Sequence, residues 1–286
     1  MSGVWKVTKT NTLWVFVSCS HEPRHLYDVI FAVDCLRHRG VADAHIRVFV
    51  DHPTPGPYLT PYGISAIHSV EEVASKLAAT SRYQHVFTTV AGHGSTAGLG
   101  PTAHTVSPTK LLTDVRSVAG ISHATLLVTQ CYGGIFNLLD ATQKPETVTI
   151  GATNLNPSLS APINMPPIKQ KNGSDGVSSW TANLFMLEFF NWLRAPKDVD
   201  GDGRATLVDA YKHAGAATNQ HLRAAKAGLF MQVRRLGEEL ETARKQGKLP
   251  VEIDAIELKL NRSLETLHLH QEPWLLHANL ARQIQV

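Results

Sequence analysis

The chain has 286 residues, of which 43% are hydrophobic and 18% are charged, and its formal net charge is +3. This composition supports a substantial apolar core and argues against global disorder. The small net charge gives no reason to expect a nucleic-acid partner, which usually leaves a concentrated basic face. We expect neither a secretory signal nor a membrane span, since no run approaches the roughly 20 apolar residues of a transmembrane helix. Three cysteines are too few for a disulfide framework, so we expect a cytoplasmic protein.

Strands and helices alternate along the first 150 residues. Apolar runs predict buried strands at residues 11–18, 44–50, 86–93, 124–131 and 147–152. An amphipathic helix is predicted from about residue 26 to residue 40. Two further helices begin at a capping box, Ser69 to Glu72, and at Ser107-Pro108. The alternation predicts an α/β fold with a mostly parallel sheet covered on both faces.

The second half of the sequence changes in character. Residues 154–179 are rich in Pro, Asn, Gly and Ser, which is typical of either a functional loop or a disordered segment. A strongly apolar helix is predicted over residues 180–193, and another begins near Thr206. The charged, helix-periodic stretch from about 221 to 268, broken at Gly247 and Pro250, predicts a helical hairpin. This hairpin is either a solvated surface or a docking element for a regulatory protein.

These patterns divide the chain into three parts. We expect an α/β domain over residues 1–220, the charged helical hairpin over residues 221–270, and a last strand within residues 271–286 that returns to the sheet of the first domain.

Two side chains with catalytic chemistry follow neighbouring strands of the predicted sheet. Cys131 ends one apolar run, and His93 ends another within a Gly-His-Gly-Ser segment. Parallel strands deliver both to the carboxyl edge, where open α/β sheets place their chemistry. A thiol needs a nearby base to become a nucleophilic thiolate, and an imidazole supplies it. The pattern predicts a cysteine peptidase with a Cys131–His93 dyad, while Cys19 and Cys35 are interpreted as inert, buried thiols.

The residues around the dyad resemble a known family. His93-Gly94 and the Gln-Cys-Tyr-Gly-Gly run at residues 130–134, in this order, are similar to the motifs of clan CD cysteine peptidases, and within that clan to the legumain family. That family includes asparaginyl endopeptidases and the catalytic subunit of the glycosylphosphatidylinositol transamidase. Pro23-Arg24-His25 resembles the legumain Tyr-Arg-His run. The resemblance covers roughly residues 12–215 and implies a caspase-like, three-layer αβα sandwich with a mostly parallel central sheet.

The resemblance also implies roles for individual residues. Cys131 would be the nucleophile, and His93 would protonate the leaving amine. The backbone amides of Gly94 and Cys131 would form an oxyanion hole, which stabilises charge that appears only in the transition state. No cofactor takes part in such chemistry.

The substrate pocket departs from the legumain pattern. Thr129 stands where legumains hold an acidic pocket residue, and Glu22 stands where they hold an asparagine near the catalytic histidine. Arg24 is then the expected pocket charge, with an ordinary surface arginine as the alternative, and Asp175 matches a second pocket residue loosely. An arginine paired with an aspartate would suit asparagine, an arginine alone would suit aspartate, and an uncompensated Asp175 would select lysine or arginine. We expect asparagine or aspartate before a basic residue. The remaining expected pocket residues are His25, Ser158 and Ser160.

The predicted function is that of a cysteine endopeptidase acting on a protein or peptide, after Asn or Asp, with self-processing expected in the 154–179 loop between Lys169 and Asp175. Two alternatives stay open: a transamidase or ligase using the same dyad, and a degenerate peptidase that serves as an interaction scaffold. Neither nucleic acid nor membrane is expected as a partner.

A second motif lies at residues 198–209. Its spacing is that of an EF-hand loop, with Gly203 at position 6. Oxygen ligands at positions 1, 3, 5 and 12 are supplied by Asp198, Asp200, Asp202 and Asp209. Asp at position 12 reaches less far than the usual Glu. The motif predicts either a calcium site or a turn whose carboxylates cap the helix at Thr206.

Overall fold

The computed structural model describes residues 5–7, 9–51, 56–100, 106–139, 142–268 and 270–286. The chain forms two compact units: Met1–Gly215 together with Glu272–Val286, and Ala216–Gln271. The first unit holds the sheet and the predicted dyad.

Seven strands of the first unit form one sheet. The strands are β1 (Trp5–Lys6), β2 (Thr12–Ser18), β3 (Ile46–Val50), β4 (Ile67–Ser69), β5 (His85–Ala91), β6 (Gly94–Ser95), β7 (Gly98–Leu99), β8 (His123–Val128), β9 (Glu146–Gly151), β10 (Ser160–Asn164), β11 (Ser179–Asn183), β12 (Trp274–Leu276) and β13 (Ile284–Gln285). The seven-stranded sheet has the order β12-β9-β8-β5-β2-β3-β4. Its neighbouring strands are parallel, except that β12 pairs antiparallel with β9.

The helices of the described residues are α1 (Pro23–His38), α2 (Gly56–Leu59), α3 (Val73–Ala78), α4 (Pro108–Arg116), α5 (Leu184–Arg194), α6 (Leu207–His221), α7 (Arg223–Lys245), α8 (Pro250–His268) and α9 (Ala278–Ala281). In the first unit, α1 and α5 lie on one face of the sheet, and α3 and α4 lie on the other. Within the sandwich, α1 packs with α5 and α3 packs with α4. The predicted α/β fold with a mostly parallel sheet is therefore confirmed, in the three-layer arrangement expected of a caspase-like sandwich.

The central strands are buried on both faces, which explains their continuous apolar sequences. In β2 the alternate residues Leu13, Val15 and Val17 join the cluster formed with α3 and α4. On the other face, Phe16 packs on Phe190 of α5 with ring centroids 5.7 Å apart. Burying a large apolar side chain contributes about 1.5–3 kcal/mol, so these two layers supply much of the stability of the first unit.

The order of the strands creates a switch point between β2 and β5. From β2 the chain proceeds to β3 and β4 on one side, and from β5 it proceeds to β8 and β9 on the other. Ligands of open α/β sheets bind at the carboxyl ends of strands at such a point. His93 lies on the segment that follows β5 at this point, and Cys131 follows β8, the next strand of the sheet.

The structure corrects the prediction for residues 154–183. This stretch is not irregular throughout, because β10 and β11 form an antiparallel hairpin in which Ser160 pairs with Asn183. The predicted helix at 180–193 begins only at Leu184, since the side chain of Asn183 accepts the N–H of Met186 and caps the helix there. Trp180 therefore belongs to a strand.

Two strands end earlier than predicted. β5 ends at Ala91, because Gly92 turns the chain with φ of +119°. β8 ends at Val128, and Thr129 makes a last backbone bond to Val90 before the chain leaves the sheet. The capping box at Ser69 and the helix start at Pro108 are confirmed.

The second unit contains α7 and α8, joined by a turn at Gly247 with φ of +64°. Their contact is formed by a small apolar cluster of Leu236, Leu240, Ala243 and Ile256. Several apolar side chains of the hairpin, among them Phe230 and Met231, are exposed. Docking of a regulatory protein on this hairpin stays a prediction.

None of the helices among the described residues combines the length and the apolar character that crossing a bilayer requires. The cytoplasmic location stays a prediction.

Candidate active site

The parallel register brings the predicted nucleophile and base to one edge. Val90 of β5 lies beside Val128 of β8, so the segments that follow these strands leave the sheet side by side. His93 stands three residues beyond the first member of this pair, and Cys131 stands three beyond the second. Both side chains are partly exposed and so accessible from solvent.

The backbone after His93 lies directly on the backbone of Cys131. A Cβ atom built on Gly94 would be 2.1 Å from the carbonyl oxygen of Cys131 and 2.7 Å from Nε2 of Gln130. Such distances do not occur in real side chains, so only glycine permits this approach. Gly94 therefore serves to seat the histidine-bearing loop against the cysteine-bearing loop.

The Cys131 loop is held by the segment that precedes β10. Tyr132 adopts a left-handed conformation with φ of 56°, and its N–H bonds the carbonyl of Asn156. The N–H of Ser158 donates to Sγ of Cys131 at 3.3 Å. An N–H aimed at the sulfur stabilises negative charge there. Asn183 ties the assembly together, since its side-chain amide donates to the carbonyl of Thr129 at 2.7 Å and to the Ser158 hydroxyl at 3.1 Å.

The imidazole of His93 is held by Glu22. Nε2 of the ring bonds Oε1 of this carboxylate. Because an ionised carboxylate only accepts, Nε2 is the donor, and Nδ1 is the ring nitrogen left with a free lone pair. Hydrogen bonds from Arg24 and then from His93 outweigh burial and lower the pKa of Glu22 to about 2. Glu22 is thus charged across the working pH range.

Arg24 lies on the other oxygen of the same carboxylate. Its Nε donates to Oε2 of Glu22 at 2.5 Å, and its Nη1 donates to the Ser160 hydroxyl at 3.4 Å. Arg24 is therefore not an isolated surface charge, because it links the loop after β2 to β10. The pair carries no net charge.

Two more imidazoles surround His93. The ring of His21 stacks on it at 5.3 Å between centroids, and the ring of His25 meets it edge-on at 5.0 Å. His25 is buried, and that burial, followed by the charge of Arg24, lowers its pKa to about 3. The predicted pocket residue His25 therefore lies behind His93 as a neutral ring.

Two predicted pocket residues are corrected. Thr129 is fully buried, and its hydroxyl donates to the carbonyl of Val90 at 2.8 Å, so it offers no group to a substrate. The carboxylate of Asp175 pairs with the ammonium of Lys169 in the exposed turn between β10 and β11. The structure thus does not bring Asp175 to Arg24, because the hairpin carries it away to its tip.

A second acid near Arg24, besides Glu22, is Asp28, which sequence reasoning missed. It lies one helical turn along α1 from Arg24 and is fully buried, with its carboxylate accepting the indole N–H of Trp180 at 2.8 Å. Burial raises the pKa of Asp28 to about 7, against the hydrogen bonds from Trp180 and Asn183. The available signal was an acidic residue between the apolar positions Leu26 and Val29.

The other two thiols are unsuited to nucleophilic attack. Cys19 and Cys35 are buried. Burial, followed by the charge of Asp51, raises the pKa of Cys19 to about 12, and burial, followed by the charge of Asp34, does the same for Cys35. Their interpretation as inert thiols agrees with this burial.

The acidic loop at 198–209 has internal partners for its carboxylates. Oxygens of Asp198, Asp200 and Asp209 lie within 4.8 Å of one another, whereas Asp202 bonds Arg204. Asp209 is fully buried and accepts the N–H groups of Val199, Asp200 and Thr206 together with the Thr206 hydroxyl. Burial alone would raise the pKa of Asp209, but these bonds outweigh it and lower the pKa. The capping role is therefore present, and calcium binding stays a prediction.

Comparison with known proteins gives one kind of match. No family model matches the chain, and no curated protein matches it. Among solved structures, the chain is similar to that of drICE, a caspase, at 12% identity and a TM-score of 0.35, over 73% of this chain and 82% of that one. We therefore base the function on the residues of the site.

Proposed function

We propose that this chain is a cysteine endopeptidase of the legumain type, with Cys131 as nucleophile and His93 as its acid–base partner. The observation that carries the proposal is the seating of Gly94 on the Cys131 carbonyl, since it joins the two loops that bear these side chains. The Ser158 N–H on Sγ supports the same assignment.

The reaction proceeds through an acyl-enzyme. The Cys131 sulfur attacks the substrate carbonyl carbon, and the C–N bond of the resulting tetrahedral species breaks. Nδ1 of His93, which has taken up the proton of the Cys131 thiol, delivers this proton to the leaving amine. A water molecule then attacks the thioester carbon and gives one proton to Nδ1. The C–S bond breaks, the acid product leaves, and the proton on Nδ1 returns to the Cys131 sulfur. The amides of Gly94 and Cys131 serve as donors to the oxyanion during both steps.

Glu22 acts as a positioning residue in this scheme. Its carboxylate fixes the proton on Nε2 of His93 and so keeps Nδ1 available for transfer. It also stabilises the imidazolium that forms after the ring takes up a proton. The glutamate thereby does, with a full charge, what the asparagine at the matching legumain position would do with an amide.

The pocket chemistry favours asparagine over aspartate before the cleaved bond. Arg24 is already neutralised by Glu22 at 2.5 Å, so an ionised aspartate would meet no free positive charge. A neutral amide can instead bond Arg24 Nη and the Ser160 hydroxyl, which lie 3.4 Å apart. Arg24→Ala should therefore weaken kcat/KM for asparagine substrates strongly. Unchanged kinetics would remove Arg24 from the pocket.

The decisive experiment is labelling by an electrophile. An asparagine-based epoxide or chloromethyl ketone should modify Cys131 and leave Cys19 and Cys35 unmodified, as mapped by peptide mass spectrometry. The Cys131→Ser variant is the matched control and should not react. Labelling of all three thiols at equal rates, or of none, would refute the proposal. Adding an amine nucleophile to the active enzyme distinguishes hydrolysis from transfer, since a ligase would yield the amide product.

Self-processing would occur in the turn between Lys169 and Asp175. This turn is exposed and joins two paired strands, so it is sterically open to a protease. Intact-mass analysis of the wild type beside Cys131→Ala tests it. Equal full-length masses after prolonged incubation would exclude self-cleavage.

A further inference from the structure

The carboxylate of Glu22 is surrounded by imidazoles in a way that exceeds the needs of a catalytic dyad. One nitrogen of His21, one nitrogen of His93 and one oxygen of Glu22 all lie within 4.8 Å of one another. These are three ligand atoms of the types that zinc prefers. A peptidase needs only one of these rings for proton transfer.

A fourth nitrogen lies near the other oxygen of the same carboxylate. Nε2 of His25 lies 4.0 Å from Oε2 of Glu22, and within the described part of the chain it has no hydrogen-bond partner. The side chain of His25 is only 4% exposed. A buried ring nitrogen without a partner costs free energy, which a bound cation would offset.

The structure also supplies an outer partner for His21. Nδ1 of this ring lies 3.7 Å from Oδ2 of Asp51, and the other oxygen of Asp51 is fixed by the N–H and hydroxyl of Ser20, both at 2.8 Å. Metal-bound histidines commonly direct their second nitrogen to a carboxylate in this manner. Nε2 of His21 is then the nitrogen directed to the metal.

We propose that His21, Glu22 and His93 bind a zinc ion, with His25 or water in the fourth position, and that the bound ion holds the peptidase inactive. Tetrahedral ligands around zinc lie about 3.4 Å apart at ordinary bond lengths. The rings of His21 and His93 are 43% and 40% exposed, so small rotations can close the present spacing. The ion binds the ring of His93, which must transfer protons in the proposed reaction. Zinc binding and catalysis therefore exclude each other.

Arg24 sets which oxygen is used. It lies on Oε2 of Glu22, so Oε1 is the oxygen available to the ion. The guanidinium also repels a cation nearby. The zinc affinity should therefore rise when this charge is removed, as in Arg24→Gln.

Binding is measured without reference to activity. Metal-free protein is titrated with Co²⁺, whose d–d absorption reports a four-coordinate site, and the ion is then displaced by Zn²⁺. We expect saturable binding in the wild type, and in Cys131→Ala as well, with no sulfur-to-cobalt charge-transfer band. His21→Ala should lower the affinity by more than the about 10- to 100-fold that loss of an outer-shell partner costs. Asp51→Asn should fall within that range.

The matched control is His270→Ala, which removes an exposed histidine of the second unit and should leave binding unchanged. Equal affinity of His21→Ala and wild type would overturn the site, as would loss of binding in Cys131→Ala. Circular dichroism and melting of each variant distinguish a lost ligand from a lost fold.

The inhibitory consequence rests on the proposed function, but the binding does not. Zinc should stop peptide cleavage by the wild type, and His21→Ala should need a higher zinc concentration to lose half of its own zinc-free activity. Cobalt binding without any peptidase activity would keep the metal site and refute the proposed function. If the protein binds cobalt but zinc does not inhibit its peptide cleavage, the proposal that the bound ion inhibits the peptidase would be overturned.

Discussion

Gly94→Ala is the sharpest perturbation of the candidate active site, because it adds one methyl group where the loop that carries His93 contacts the loop that carries Cys131. The new Cβ would lie 2.1 Å from the carbonyl oxygen of Cys131, whereas real Cβ contacts do not fall below 3.0 Å. The two backbones must therefore separate by at least 0.9 Å, the difference between these distances. Because the obstacle is backbone, no side-chain rotation can relieve it.

A displacement of about 1 Å in a catalytic constellation costs about 10²-fold in rate. We expect kcat/KM of Gly94→Ala to fall by about that factor, which corresponds to about 2.7 kcal/mol of transition-state stabilisation. The overpacking should also lower the free energy of unfolding by about 1–3 kcal/mol. Steady-state cleavage of a fluorogenic peptide measures the first quantity, and urea unfolding measures the second.

Gly237→Ala provides the matched control, since a Cβ there meets no atom within 4 Å. It lies inside α7, where alanine is favoured over glycine by about 1 kcal/mol, so activity should be unchanged and stability equal or higher. If folded Gly94→Ala kept kcat/KM within about threefold of the wild type, the loops would not be seated as the structure places them.

Glu22→Ala should lower kcat on the order of 10²-fold, because it releases the His93 ring. Glu22→Gln keeps an acceptor oxygen and should recover part of the lost kcat. If peptide cleavage by both variants had the kcat of the wild type, Glu22 would not position His93. Acid should destabilise the first unit, because burial lowers the pKa of His123 to about 4 and that of His85 well below its ordinary value. Both rings are neutral in the folded protein but take up protons near pH 6.5 in the unfolded chain. Their contribution to the free energy of unfolding is therefore fully present above pH 6.5 and is lost as the pH falls towards 4, by up to about 3 kcal/mol for His123. Urea unfolding at several pH values measures how the free energy of unfolding depends on pH. His123→Gln should weaken this dependence, and the dependence would be absent if the two rings were accessible to protons in the folded protein. Asp209→Ala should cost about 3 kcal/mol or more in calcium-free buffer, since it leaves buried N–H groups without an acceptor; a loss seen in melting curves only when calcium is present would favour the metal site instead.

The strand framework could be predicted because its physical cause is local. β2, β5 and β8 are buried on both faces, so their sequences are continuous apolar runs that any reading of periodicity detects. Parallel pairing then puts the residues that follow these strands at one edge. The dyad candidates Cys131 and His93 follow from that geometry and need no further information.

The hairpin of β10 and β11 could not be predicted in this way. Its residues alternate between exposed and partly buried positions, and Pro162 and Ser160 are weak strand formers. The pairing is instead stabilised by tertiary contacts, since Trp180 of β11 bonds Asp28 of α1, 152 positions away in the sequence. The composition of this segment therefore indicated a loop, whereas hydrogen bonds to residues distant in the sequence stabilise a strand there.

The role of Glu22 was only half visible in the sequence. Its difference from the legumain asparagine marked the position, but the contact with His93 depends on the path of the loop after β2. That path is fixed by Asp51, which follows β3 and binds Ser20 through two hydrogen bonds. Asp175, in contrast, had a suitable residue type but lies at the tip of a hairpin that no pattern indicated.

Cys19 and Cys131 show why residue type and strand position alone do not define a nucleophile. Both cysteines follow strands of the same sheet at the same edge. Cys19 is 1% exposed and lies near the negative charge of Asp51, which disfavours a thiolate. Cys131 is partly exposed, and its sulfur receives the N–H of Ser158. The difference comes from two segments distant in sequence. The segment after β3 supplies the negative charge of Asp51, and the segment before β10 supplies the N–H donor of Ser158. In this sheet the environment of each thiol is thus set by a neighbouring segment that is distant in the sequence.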